Sequence, residues 1–62
     1  MVVVDENYLI EGQTYRLHDY LNEFHGKVKI IEVNVFYRYI ICQCLKTKEQ
    51  FHFSGHGLFY ES

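Results

Sequence analysis

The 62-residue chain has no proline and no tryptophan, a single methionine, and only two cysteines, at positions 42 and 44. Two cysteines one residue apart on a strand share a face about 7 Å apart, an awkward separation for a mutual bridge. A disulfide framework is therefore not expected to staple the fold. Met1-Val2-Val3-Val4 runs straight into Asp5-Glu6, without the basic segment or long apolar stretch of a secretory signal. Free thiols in such a chain are expected in a reducing cytoplasm. No apolar run is long and pure enough to suggest a membrane span, and there is no linker, tag or low-complexity tract. Neither sign of charge dominates: the net charge of −2 argues against a general nucleic-acid binder, which is normally strongly basic.

What is present is β-structure. Residues 27–45 form a nineteen-residue stretch free of Gly and Pro and crowded with β-branched and aromatic side chains. Such a composition fits the pleated surface of a sheet. One small domain over 1–62 is all that the length allows, and a chain of this size buries only about 60% of its unfolded surface. Extra stabilisation has to come from somewhere, and six Tyr with five Phe are the evident source. Each ring can remove roughly 150–250 Å² from water. Charge is also unevenly spread. Residues 1–26 carry −4, residues 27–48 carry +4 and the remainder −2, which favours a bipolar surface.

Turn chemistry divides the chain. Residues 1–11 supply a possible extra N-terminal strand around Val2–Val4. Gln13-Thr14-Tyr15-Arg16-Leu17 alternates as a half-buried strand with Tyr15 and Leu17 inward. Residues 18–26 read as a long loop with one helical turn, capped by Asp19, ended by Gly26 and pinned to the core by Tyr20, Leu21 and Phe24. In Val28-Lys29-Ile30 the apolar positions are even, whereas in Ile31-Glu32-Val33 they are odd. That change of phase predicts a bulge or sharp bend at Ile30-Ile31. Asn34, which tolerates the left-handed backbone conformation, predicts a turn with Val35 and Phe36. Tyr37 to Leu45 is the next strand, Lys46-Thr47-Lys48-Glu49 a turn, Gln50 to Ser54 a strand, Gly55-His56-Gly57 a loop, and Leu58-Phe59-Tyr60 a closing strand.

The fold class expected is all-β, a small barrel of five or six strands. The order of connections resembles an SH3-like barrel, and Phe24-His25-Gly26-Lys27-Val28-Lys29-Ile30-Ile31-Glu32-Val33 resembles a KOW-type entry, a Gly followed by a basic, β-branched strand. Small phage and prophage proteins of low-GC Gram-positive bacteria look similar. The resemblance implies a binding module, carries over no catalytic residue, and hints at a modulator of a host enzyme or defence protein.

Three chemistries can be weighed on the residues themselves. Cys42-x-Cys44 with His52-x₃-His56 offers zinc-type ligands. A two-residue hairpin loop at Thr47-Lys48 would, however, place His52 opposite Gln43 and away from the sulfurs, leaving the cysteines beside Phe51 and Phe53 as core. A different loop length would change that parity, so the metal reading stays open, although neither a metal nor a cofactor is expected. A nucleophilic cysteine would need a base such as His18, His25, His52 or His56 in a local signature that is missing, and no enzyme activity is expected. Asp5-Glu6 reads as a solvated turn.

Binding is the stronger prospect. Tyr37–Leu45 has two nearly apolar faces, one with Phe36, Ile40, Cys42 and Cys44, the other with Tyr37, Tyr39, Ile41 and Leu45. A barrel this small has one interior, so the second face offers a surface for a protein partner, either another protein or a second copy. Tyr37, Arg38, Tyr39 and Ile41 are its expected anchors. The competing reading is that residues 1–10 fold over that face. The alternative function is a nucleic-acid-binding barrel, using Lys27, Lys29, Arg38, Lys46 and Lys48 beside Tyr37 and Tyr39.

Overall fold

A computed structural model describes residues 2–21, 23–55 and 57–61. The chain is all-β, with β1 at Val3–Val4, β2 at Thr14–Asp19, β3 at Phe24–Asn34, β4 at Tyr39–Cys44, β5 at Gln50–Phe53 and β6 at Gly57–Glu61. They form one antiparallel sheet in the order β1-β6-β2-β3-β4-β5. No ladder joins β5 to β1 among the described residues, so hydrogen bonds do not close the sheet into a full barrel.

Aromatic packing draws the two margins together instead. A series of ring contacts runs from Tyr15 to Phe59 at 6.5 Å, Phe59 to Phe53 at 6.0 Å, Phe53 to Phe51 at 6.1 Å and Phe51 to Phe24 at 4.9 Å. Phe53 lies on the terminal strand β5 and Phe59 on β6, next to the opposite margin, so the sheet must curl for their rings to meet. Leu17, Val28, Ile30 and Cys42 are fully enclosed within this curl, and Leu9 and Ile40 complete the core. Burying each large aliphatic group contributes about 1.5–3 kcal/mol. Gly26 has a specific place here. The Phe24 ring lies across it, so that a Cβ would sit only 2.9 Å from Phe24 Cζ. A side chain at position 26 would displace the ring that bridges β3 to Phe51.

The change of phase in β3 is a bulge. Ile30 pairs with Cys42 and Glu32 with Ile41, leaving Ile31 as the extra residue. Both Ile30 and Val33 can then reach the interior. The N-terminal segment does not lie over the outer face of β4. Val3 and Val4 pair with Tyr60 and Phe59 of β6, and the following residues carry Leu9 into the core.

Three local expectations are corrected. Residues 18–26 are not a long loop, because β2 continues to Asp19 and pairs His18 with His25 and Asp19 with Phe24. Among the described residues of this segment, only 20, 21 and 23 turn. Asp19 is fully buried and its Oδ1 accepts a hydrogen bond from the Leu21 amide at 3.0 Å, which fixes the reversal, while Tyr20 and Leu21 project into solvent. The one helical turn described is a 3₁₀ turn at Glu6–Tyr8, capped by the Asp5 side chain. In the β3–β4 turn, Arg38 rather than Asn34 takes the left-handed conformation, with φ of 58°.

Candidate interaction surface

β3 and β4 end in a four-residue turn, residues 35–38, that projects apolar groups into water. Val35 is 61% exposed, Phe36 86% and Tyr37 74%. The turn is nonetheless fastened. Asn34 Oδ1 accepts from the Tyr37 amide at 2.8 Å, and the Phe36 and Tyr37 rings meet edge to face at 5.0 Å. Phe36 was expected on the inner face with Ile40. It is displaced because β4 starts only at Tyr39, so strand alternation does not extend back to position 36. Its position directly after Asn34-Val35 was the available signal, since a residue in a turn has no assigned face.

From Tyr39 onward the alternation holds. Ile40, Cys42 and Cys44 face the core, and Tyr39, Ile41 and Gln43 face outward, half-buried among their neighbours. Tyr39 donates its hydroxyl hydrogen to Glu32, accepts from Asn34 Nδ2 at 3.4 Å and packs its ring against His52 at 5.2 Å. The bond to Glu32 raises the Tyr39 pKa above its ordinary value by stabilising the protonated phenol. Tyr37 and Arg38 therefore lie on the free turn, while Tyr39 and Ile41 form the braced flank below it. Beside them, a shallow groove of about 280 Å³ is lined by Glu6, Tyr37, Arg38, Ser54 and Gly55. It adjoins a second groove of about 360 Å³ along the open seam between Val3-Val4 and Phe53.

The cysteines and histidines separate. The β4–β5 turn spans four residues, 45–48, rather than two, so Cys42 pairs with Phe51 and Ile41 with His52. A shift of two residues preserves parity, so His52 points away from both sulfurs. His56 lies outside the described residues, and among those described no three His, Cys, Asp or Glu side chains are grouped to hold a metal. Burial, and secondarily the negative charge of Asp19, pushes the Cys42 thiol up to about 12. Hydrogen bonds from the side chain and backbone of Thr47 lower that of Cys44.

The basic residues do not form one patch. Lys27 and Lys29 project outward from β3, and the Lys27 carbonyl accepts from the Leu45 amide at 3.2 Å, beside the turn that holds Lys46 and Lys48. Arg38 stands at the other end of β4, roughly 20 Å away at 3.3 Å per strand residue. Sequence reasoning overlooked Val35 and Phe36 as surface groups and Asp19 as a core residue. No family model matches the chain, and neither a curated protein nor a solved structure is similar to it at a significant level.

Proposed function

We propose that the chain is a non-enzymatic protein-binding module that docks through the β3–β4 turn. Phe36 and Tyr37 are its apolar anchors, Arg38 supplies a charged contact, and Tyr39 and Ile41 extend the surface along β4. One observation carries the reading: three consecutive apolar side chains stand 61–86% exposed on a turn held by the Asn34 side chain. Turns usually carry Gly, Asn, Asp, Ser or Pro, whose conformational properties serve the reversal. The backbone of this one is held by the Asn34 side chain rather than by Val, Phe or Tyr, and their exposure costs solubility unless something covers them. Aromatic and Arg side chains are also those that dominate interface energetics. The turn's fixed conformation lowers the ordering entropy lost on binding.

The resemblance to small phage and prophage proteins makes a host enzyme or defence protein the partner class to test first, with a second copy of the chain as the other. Light scattering at micromolar concentration measures self-association, and affinity capture from the source cell measures the rest. A partner retained by the native chain and lost by both Phe36→Ser/Tyr37→Ser and Tyr39→Glu is the expected result. A strict monomer whose captured proteins are unchanged by either variant overturns the reading.

A further inference from the structure

The β2–β3 hairpin brings together two imidazoles that lie well apart along the chain. His18 on β2 and His25 on β3 are direct cross-strand partners on the outer face, with ring centroids 3.8 Å apart. The Tyr20 ring packs on His18 at 4.5 Å and braces it. Both histidines line a shallow depression of about 410 Å³ with Arg16, Leu17 and Tyr60, so the pair is open to a small solute. On β6 the neighbour of His18 is Leu58. Of the nearby carboxylates, Glu23 shortly precedes His25 and Glu61 pairs with Tyr15, but neither lines the depression.

We propose that His18 and His25 form a two-nitrogen site for a late first-row divalent metal ion. Water completes its coordination, and the bound ion clips β2 to β3. Imidazole is a ligand for copper, nickel and zinc. Directly opposed strand positions hold their Cβ atoms about 4.5–5.5 Å apart, which lets two such rings reach one ion. With metal–nitrogen bonds of about 2.0–2.1 Å, imidazoles at right angles around an ion have centroids roughly 4.5 Å apart. The observed 3.8 Å therefore has to open by less than about 1 Å, within the reach of small side-chain rotations. Calcium and magnesium fit poorly. They take oxygen ligands, chiefly carboxylates, and none stands in the depression, while the Arg16–Lys27 pair adds positive charge beside it. A late ion is held by nitrogen donation instead. A cross-strand clip also suits a 62-residue chain whose two cysteines are both free, because domains this small are commonly reinforced by a metal or by disulfides.

The test is calorimetric titration of nickel chloride into the untagged full chain in a non-coordinating buffer, with thermal melts run with and without nickel. Nickel(II) avoids the thiol oxidation that copper(II) would bring. A saturable isotherm with one ion per chain is expected, together with a rise in melting temperature, because an ion that binds only the paired strands stabilises them. His18→Phe and His25→Phe each keep an aromatic ring in the stack but remove the nitrogens. Either should weaken binding by at least about tenfold, since the second ligand no longer acts at high effective concentration, and should abolish the nickel-dependent rise. His52→Gln should bind like the native chain. Phe36→Ser/Tyr37→Ser should do so too, which separates this result from the fate of the protein-docking proposal. The inference is overturned by absence of saturable uptake, by a phenylalanine variant that binds nickel like the native chain, by equal loss in His52→Gln, or by one ion per two chains, which would place the ligands on separate copies.

Discussion

The turns at the two ends of β4 share a length and a backbone solution but differ in what they display. Residues 35–38 and 45–48 are both four-residue reversals closed by a left-handed residue, Arg38 with φ of 58° and Lys48 with φ of 67°. Each also uses a polar side chain to hold an amide: Asn34 receives the Tyr37 amide at 2.8 Å, and Thr47 Oγ1 receives the Glu49 amide at 3.3 Å. One turn exposes Val, Phe and Tyr, whereas the other carries Lys46, Thr47 and Lys48. Because the backbone is satisfied by polar residues at one end, the apolar residues at the other are not a requirement of the fold. The difference between the turns isolates what the β3–β4 end carries beyond structure.

Exchanging that content has the largest expected effect. Replacing Phe36 and Tyr37 by Ser makes the upper turn as polar as the lower one. If both rings are central anchors, each costs about 2 kcal/mol of binding, or roughly thirtyfold in affinity. Thermal unfolding should move by less than about 0.5 kcal/mol, since surface substitutions rarely do more. The matching control, Thr47→Ala with Lys46→Ser, should leave partner affinity unchanged. Titration calorimetry and thermal melts measure the two quantities. A stability loss at positions 36 and 37 as large as the binding loss would mean that the rings serve the fold.

The strand joining the turns differs between its own faces, and alkaline pH exposes the difference. Cys42, inward, has its pKa pushed up to about 12 from 9.0, and Tyr39, outward, is raised above 10.0. A raised pKa means that the folded chain holds the proton more tightly than the unfolded chain. The associated stability is complete below pH 9 for Cys42 and below pH 10 for Tyr39, and is lost as pH rises through the folded values. For the buried Cys42 thiol the slope is at most about 1.4 kcal/mol per pH unit. Urea titrations from pH 8 upward should therefore show stability falling above pH 9. Cys42→Ser should flatten the first part of that fall, and Tyr39→Phe should affect only the later part. An unchanged slope in Cys42→Ser would place the alkaline sensitivity elsewhere.

Legibility in the sequence followed the same division between strand and turn. Strand parity was readable because side chains alternate with period two: Tyr15 and Leu17 inward, the bulge at Ile30-Ile31, and the cysteines facing away from His52 all follow from it. The Cys42 parity survived even though the loop before β5 is longer than expected, because the error was an even number of residues. Turns were harder to read. Asp19 looked like a helix cap, because one buried carboxylate binding the Leu21 amide leaves no periodic trace, and the hairpin pairing of His18 with His25 is a long-range outcome. Phe36 was assigned a face by extending the strand too far. That Arg16 lies across from Lys27 is likewise a product of the β2–β3 pairing, since no local pattern connects position 16 with position 27. Tyr37 and Arg38 were singled out from residue type, and the structure places both exposed on the β3–β4 turn.

The smallest expected effect tests whether the two turns are equivalent in backbone terms. A non-glycine residue in the left-handed region costs roughly 1–2 kcal/mol, and glycine removes that cost while adding entropy to the unfolded chain. Lys48→Gly should therefore stabilise the chain by a few tenths of a kcal/mol to about 1 kcal/mol, raising the melting temperature by a few degrees. Arg38→Gly should do the same if the upper turn is only a reversal with different cargo. The two variants should then part in binding: Arg38→Gly loses the charged contact and weakens partner affinity, whereas Lys48→Gly leaves it unchanged. Stabilisation by Lys48→Gly together with destabilisation by Arg38→Gly would break the equivalence. The Arg38 side chain would then help to hold the turn in place, and its groove beside Glu6 and Tyr37 would be part of the fold rather than of the docking surface.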